Sequence, residues 1–287
     1  MADVKPTAVK ATSTAHAKKS SNAISWIAPL ACIFLGFFIW RIALGSAGNF
    51  TKPDLDASHW FWPNHQGPKG GLIKMYEGGI IVPFLIGCLL TVLTFVIERL
   101  LTVSKASGSG SSAEFVRKVQ FHLANKEVDK ALAECDKQKG SVGNVMKSGL
   151  RTYKEMITNT ELVTEQKVLN IQKSIEEATS LELPMLEKNL VFLSTIASVA
   201  TLLGLLGTVV GMIKSFSALG EDSGGGAAAN ELSKGISEAL YNTALGIGTS
   251  AIAIICYNIF TTKIDAITFG IDESGFTLTQ SFAANYK

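Results

Sequence analysis

Charge is scarce in this sequence. Only 17% of its 287 residues are Asp, Glu, Lys or Arg, against roughly 25% in an ordinary soluble domain. The deficit is local: Ser20–Trp40, Gly78–Ile97, Asn189–Ile213 and Ala239–Thr262 carry no charged side chain. At about 1.5 Å per helical residue each stretch can cross a hydrocarbon core of about 30 Å. That pattern excludes an ordinary soluble globule and predicts four transmembrane helices. Cysteine is sparse too. Cys32, Cys88, Cys135 and Cys256 are singletons, three of them inside apolar runs. With no C-x-x-C and no His/Cys cluster, neither a disulfide framework nor a zinc site is indicated, and buried apolar thiols are expected. His59 and His65 lack a third ligand nearby. No phosphate loop, nucleophile elbow or metal constellation appears, so an enzyme is not expected. A net charge of +2 without a basic block gives no reason to expect nucleic acid.

What remains divides by composition. Residues 1–23 are rich in Ala, Ser, Thr and Lys without apolar periodicity, and are expected to be a disordered tail. The first span covers 24–44. Lys18-Lys19 before it and small residues after it also fit a signal peptide, but the run exceeds the usual apolar core and ends in the interface pair Trp40-Arg41, which favours an uncleaved helix. A loop at 45–77 contains "SHWFWPNH", aromatics suited to a membrane–water interface. The second span is 78–101. Residues 102–188 form the one large polar region, opening with a flexible linker, "SKASGSGSS". Helical patterns follow in "AEFVRKVQFHLANKEVDKALAECDK" and from about Asn159 to Glu187, with a kink or break expected at Pro184. The third span is 189–214, a loop is expected at 215–234, the fourth span is 235–262, and a tail of no evident purpose fills 263–287. The polar region carries 13 Lys/Arg and the N-terminal tail four, against three in the first loop and Lys234 alone in the second. The positive-inside rule then places both termini and the polar region in the cytoplasm.

The third and fourth spans carry small residues on one side: Ser194, Ala197/Ser198, Thr201, Gly204, Thr208 and Gly211, then Ala239, Thr243, Gly246 and Ser250, with Ala244 and Gly248 beside them. Gly207 and Gly211 make a G-x-x-x-G pair. In lipid such residues let helix backbones approach, so Gly204, Gly207, Gly211, Gly246 and Gly248 are expected at helix contacts. Thr208 and Thr243 fall at similar depth on antiparallel spans, with Glu238 level with them or just above. On pattern alone Glu238 reads two ways. An acid in the first turn of a helix is stabilised by the macrodipole by about 0.3–1 kcal/mol, and Lys234 offers a surface ion pair of small worth. Alternatively Glu238, Thr208, Thr243 and Asn242 line a polar interior, because ionisable residues within spans tend to mark ion paths.

Three segments resemble one family. "EGGIIVPFLIGCLLTVLTFVIERLLTV", "LSTIASVATLLGLLGTVVGMIKSF" and "GISEALYNTALGIGTSAIAIICYNIFTTKI" are similar to the three conserved helices of the MotA/TolQ/ExbB proton channel family, most like ExbB. The combination of L-L-G-L-L-G-T-V-x-G and G-I-x-E-A-L-x-x-T-A carries the resemblance, which extends over about 75–285. It implies an all-α membrane protein in which one extra N-terminal span precedes the family's three, and long helices extend into a cytoplasmic helical region. It implies an inner-membrane motor subunit driven by proton-motive force, a homopentamer around two helices of an ExbD/TolR-like partner, energising TonB-dependent outer-membrane transport through a TonB-like protein. Protons would be the coupling ion, with no other cofactor. Glu238 matches the family's third-helix glutamate, Thr208 the G-T-V threonine and Thr243 the E-A-L-x-x-T threonine. Asn242 departs from the pattern and is expected to add to the pore lining. Thr201 and Ile252 stand where the family often has proline, so kinks are in doubt there. A TolQ-like envelope motor, a gliding or flagellar-type stator and a passive membrane scaffold are the alternatives.

Overall fold

The computed structural model describes residues 22–54, 56, 59, 63, 65–71, 73–221 and 226–286. It is an all-α membrane protein with four helices long and apolar enough to span a bilayer. The expected N-terminal tail and the aromatics of "SHWFWPNH" (Trp60, Phe61 and Trp62) fall outside the described residues, apart from the helical Asn22 and Ala23.

α1 (Asn22–Phe38) widens into a π-helical turn, Ile39–Leu44. The Asn49 amide donates to the carbonyls of Ala43 and Leu44 at 2.8 and 3.2 Å, satisfying acceptors that a helix C-terminus leaves open. A short antiparallel hairpin follows, β1 (Phe50–Lys52) with β2 (Gln66–Pro68), then a 3₁₀ turn, Ile73–Gly78. These pieces close over a small core in which the Trp40 and Tyr76 rings stack at 4.6 Å and Phe50 stacks on His65 at 4.7 Å. His65 Nδ1 accepts from the Asp54 amide at 2.8 Å and Nε2 lies 3.0 Å from the Gly45 carbonyl. Both ring nitrogens are committed to the fold, which explains His65 without a metal.

α2 (Ile81–Ala106) carries Pro83 in its first turn, where the missing N–H costs nothing. It packs on α1 so closely that a Cβ on Gly36 would lie 2.6 Å from the Gly87 nitrogen. The expected flexible linker is instead ordered and packed. α2 runs through Ala106, and the Ser109 amide donates to the Gln138 carbonyl at 2.7 Å. Gly108 adopts φ +74, a conformation glycine takes without strain, with Gln138 and Lys139 carbonyls against it.

α3 (Ser112–Ala124) and α4 (Val128–Gln138) split the first helical pattern at Lys126, φ 58. α5 (Gly140–Thr158) and α6 (Thr164–Glu187) follow. Pro184 does not break α6, which continues past it to Glu187. The break comes at Lys188 and Asn189, where Asn189 has φ 68, a value asparagine tolerates.

α7 (Leu190–Glu221) and α8 (Gly226–Asn285) are single helices of 32 and 60 residues. Two expectations are thereby corrected. Residues 215–221 and 226–234 are helical rather than loop, and 263–285 continue α8 rather than forming a separate tail. α8 would be about 90 Å long. Its last third supplies Ile264, Ile267, Ile271, Leu278 and Phe282 to a core shared with Phe115, Val119, Leu123, Met146, Leu150, Tyr153 and Ile171. The Cys135 thiol lies in that core and burial pushes it up to about 12, so it stays protonated and inert.

Candidate functional site

The site grows from the α7–α8 seam. Small residues on α7 meet small residues on α8, and the antiparallel register follows from the contacts. A Cβ on Gly246 would lie 2.6 Å from the Ala200 carbonyl and 2.8 Å from the Gly204 Cα; one on Gly207 would lie 2.5 Å from the Asn242 Cβ; one on Gly211, 3.0 Å from the Ala239 Cβ. Thr208 therefore stands level with Asn242 and Thr243, about one turn deeper than Glu238. Gly248 makes no such contact, having open space where a Cβ would be. It is corrected from the helix-packing set, because it projects from the exposed side of α8.

The small-residue side of α7 resolves into two lines. Ala197, Ala200, Gly204, Gly207 and Gly211 face the seam and are buried, whereas Ser194, Ser198 and Thr201 are exposed and Thr208 is half-buried. The second line is a row of hydroxyls on an intramembrane helix surface. Thr208 begins a furrow of about 660 Å³ on that surface, continued by Val209, Met212, Ile213, Phe216 and Ser217. The Thr208 hydroxyl donates to the Leu205 carbonyl at 2.6 Å, and the Thr243 hydroxyl crosses the seam to the Gly204 carbonyl at 3.1 Å. Each has spent its one proton and keeps acceptor lone pairs. Either oxygen can therefore receive a hydrogen bond from a protonated acid or a water.

Asn242 does not join that surface. It is 3% exposed, and its Nδ2 donates to the Gly78 carbonyl at 3.1 Å while Gly207 leaves room for it. The expectation of pore lining is corrected: Asn242 is a clamp between α8 and the turn that starts α2. A short polar amide in the seam finds a carbonyl freed at the 3₁₀ end, and that contact outweighs exposure to a polar surface.

Glu238 is half-buried and lies 12 residues into α8. It is not a first-turn residue, so the macrodipole reading loses its footing, since that effect falls off within the first turn. Its charged neighbours come from three elements: Lys214 on α7, Lys234 and Glu231 on α8, and Glu77 in the 3₁₀ turn. Among the described residues Glu238 has no ion pair within 4.0 Å and no hydrogen bond to Thr208 or Thr243. Burial pushes the Glu77 carboxyl above its usual range against the pull of Lys234 and Lys74. Sequence reasoning passed over Lys214 and Glu77, although each directly flanks a charge-free stretch.

A second polar centre sits at the other end of α2. Arg99 is 2% exposed; its Nε donates to Glu98 Oε2 at 2.6 Å and its Nη1 to the Leu186 carbonyl at 3.1 Å, while Nη2 pairs with Glu98 Oε1. Asn189 Nδ2 reaches Glu98 Oε2 at 3.3 Å. The pair ties α2 to the break between α6 and α7. A buried guanidinium is tolerated because paired and hydrogen-bonded partners surround it.

The profile of the MotA/TolQ/ExbB proton channel family matches residues 137–273, which takes in α5 to most of α8 and leaves the first resembling segment outside. A putative biopolymer transport protein, ExbB-like 3, of Synechocystis sp. is 39% identical over 87 residues, 30% of this chain and 41% of that protein. The Tol-Pal system protein TolQ of Haemophilus influenzae is 36% identical over 96 residues, 33% of this chain and 41% of that protein. The biopolymer transport protein ExbB of Helicobacter pylori is 38% identical over 96 residues, 33% of this chain and 64% of that protein. The chain thus spans about two fifths of the length of the first two relatives and under two thirds of the third.

Proposed function

We propose, from the premise that the chain belongs to the MotA/TolQ/ExbB proton channel family, that it is the multi-span subunit of a proton-driven motor in a bacterial inner membrane. In this reading five copies surround two helices of an ExbD/TolR-like partner, protons are the coupling ion, and both termini are cytoplasmic. The assembly is ExbB-like and energises TonB-dependent outer-membrane transport through a TonB-like protein. No enzymatic step is assigned to it. The observation that carries the proposal is the row of hydroxyls left uncovered on α7, with Thr208 one turn deeper than a half-buried Glu238. An uncovered polar row within a span calls for a polar partner or water rather than lipid.

The division of labour follows from the hydrogen bonds. Thr208 and Thr243 offer acceptor oxygens to an acidic side chain of the partner helix, and Glu238 supplies a titratable group about one turn nearer the rim. Lys214 and Lys234 favour its charge, while Glu77 and Glu231 oppose it. The match to a TolQ of the Tol-Pal system favours a TolQ-like envelope motor as the second reading.

The test is co-expression with an ExbD-like single-span protein and measurement of proton flux in reconstituted vesicles. Copurification in a five-to-two ratio is expected, with flux at least tenfold lower in Glu238→Gln. A chain that purifies alone, or flux unchanged in Glu238→Gln, Thr208→Val and Thr243→Val together, overturns the motor and leaves a passive scaffold.

A further inference from the structure

A groove of about 670 Å³ opens between the end of α2, the turn into α3 and the middle of α8. Its floor is Val103, Phe260 and Ile267, which are 2, 3 and 5% exposed. Leu100 and Leu101 form an apolar lip on the membrane side, 52 and 58% exposed. Ser104, Ser107 and Ser112 line it with Lys263, and no carboxylate does.

Depth fixes what this groove meets. Lys263 is the first charge after the free run of α8, and Leu100 lies three residues past the free run of α2. The groove therefore sits where hydrocarbon gives way to headgroups, on the side of α3–α6. Three hydroxyls and one ammonium face it, and among the described residues none of them has an intrachain hydrogen-bond partner. Unspent donors beside an apolar floor match one kind of molecule, with a phosphate at one end and acyl chains at the other.

We infer that this groove binds an anionic phospholipid of the leaflet on the α3–α6 side. The phosphate accepts from Lys263 Nζ and the serine hydroxyls, and an acyl chain lies along Leu100, Leu101 and Phe260. A zwitterionic lipid fits the apolar floor equally well, but its net-neutral headgroup gains less from a lone ammonium. The inference rests on the chain's being a membrane protein and is independent of the motor.

The full chain, extracted into detergent from vesicles of phosphatidylglycerol and phosphatidylcholine in equal parts, is examined for retained lipid by native mass spectrometry. Phosphatidylglycerol is expected to be retained about fivefold over phosphatidylcholine, the worth of one lysine beside an anionic lipid. Lys263→Glu is expected to abolish that preference, and Ser107→Trp, which fills the groove, to abolish retention of both lipids. Lys263 is exposed, so its replacement leaves the fold intact and keeps the test sound should Ser107→Trp misfold. Equal retention of the two lipids, unchanged in Lys263→Glu, overturns the inference. So does displacement of phosphatidylglycerol by excess inorganic phosphate, which would mark a plain phosphate site. So would efficient copy-to-copy disulfide formation by Ser107→Cys, which would put a second copy in the groove. Proton flux is read separately, so the motor and the lipid site fail independently.

Discussion

α8 is one helix packed by two different rules. Between Gly235 and Ala253 it meets α7 through glycine, alanine and hydroxyl residues, with backbones in near contact. Between Phe260 and Phe282 it meets α3, α5 and α6 through isoleucine, leucine and phenylalanine. The change of rule follows the change of solvent. Around the second part water is the competitor, and each large apolar side chain buried stabilises by about 1.5–3 kcal/mol. Around the first part lipid is the competitor and is as apolar as leucine, so large side chains gain little by meeting each other. Close backbone approach and interhelical hydrogen bonds such as Thr243 to Gly204 are what remain.

The largest expected effect lies in the water-facing half. Phe282 is fully buried with the Tyr153 ring edge-on at 4.9 Å, and Phe282→Ala should cost about 3–5 kcal/mol. Denaturant unfolding followed by protection of α3–α6 from proteolysis checks this, and a loss below about 1 kcal/mol would contradict the division between halves.

In the membrane half the rule inverts, since adding one methyl group harms where removing the six ring carbons of a phenylalanine would matter elsewhere. Gly246→Ala should destabilise the α7–α8 pair by about 1–3 kcal/mol, because the new Cβ meets the Ala200 carbonyl and the Gly204 Cα. Gly248→Ala, two residues away with open space, should change stability by no more than about 0.5 kcal/mol. Detergent-driven unfolding of the two variants side by side measures the contrast; equal effects would mean that the seam is not packed by close approach.

The smallest effect concerns the rim above the seam. Burial raises Glu77, so the folded state favours its neutral form. That contribution is full below the unfolded-state value and is lost as pH rises through the folded one. Glu77→Gln should therefore flatten the fall in stability, by melting temperature, as pH rises above the usual carboxylate range, without altering the acid limb. An identical slope in the variant would remove Glu77 from the electrostatics around Glu238.

Much of this was legible in residues alone. Four charge-free runs announced four spans, and the small residues of α7 and α8 announced a close helix pair. The buried face at Ile264, Ile267, Ile271, Leu278 and Phe282 was not legible, and 263–287 read as a tail, because glycine and polar residues between them obscure the helical period. Nor was it legible which of two adjacent lines of small residues would be covered. Ser198 and Ala200, or Asn242 and Thr243, differ by a residue or two in sequence and by roughly half a turn or one-third of a turn on the helix. A one-dimensional pattern leaves that angle free.

The sequence by itself determined that the chain crosses a membrane and where its polar region lies, because the lack of charge over four long runs leaves a segment no other stable solvent. It also determined that Glu238, Thr208 and Thr243 lie near one depth, because rise per residue is constant in a helix. Only the tertiary structure decided that α8 begins 12 residues before Glu238, that Asn242 holds Gly78 instead of lining a cavity, and that Lys214 and Glu77 set the charge around the glutamate. Those facts depend on register and azimuth between helices distant in the chain, which side-chain packing chooses.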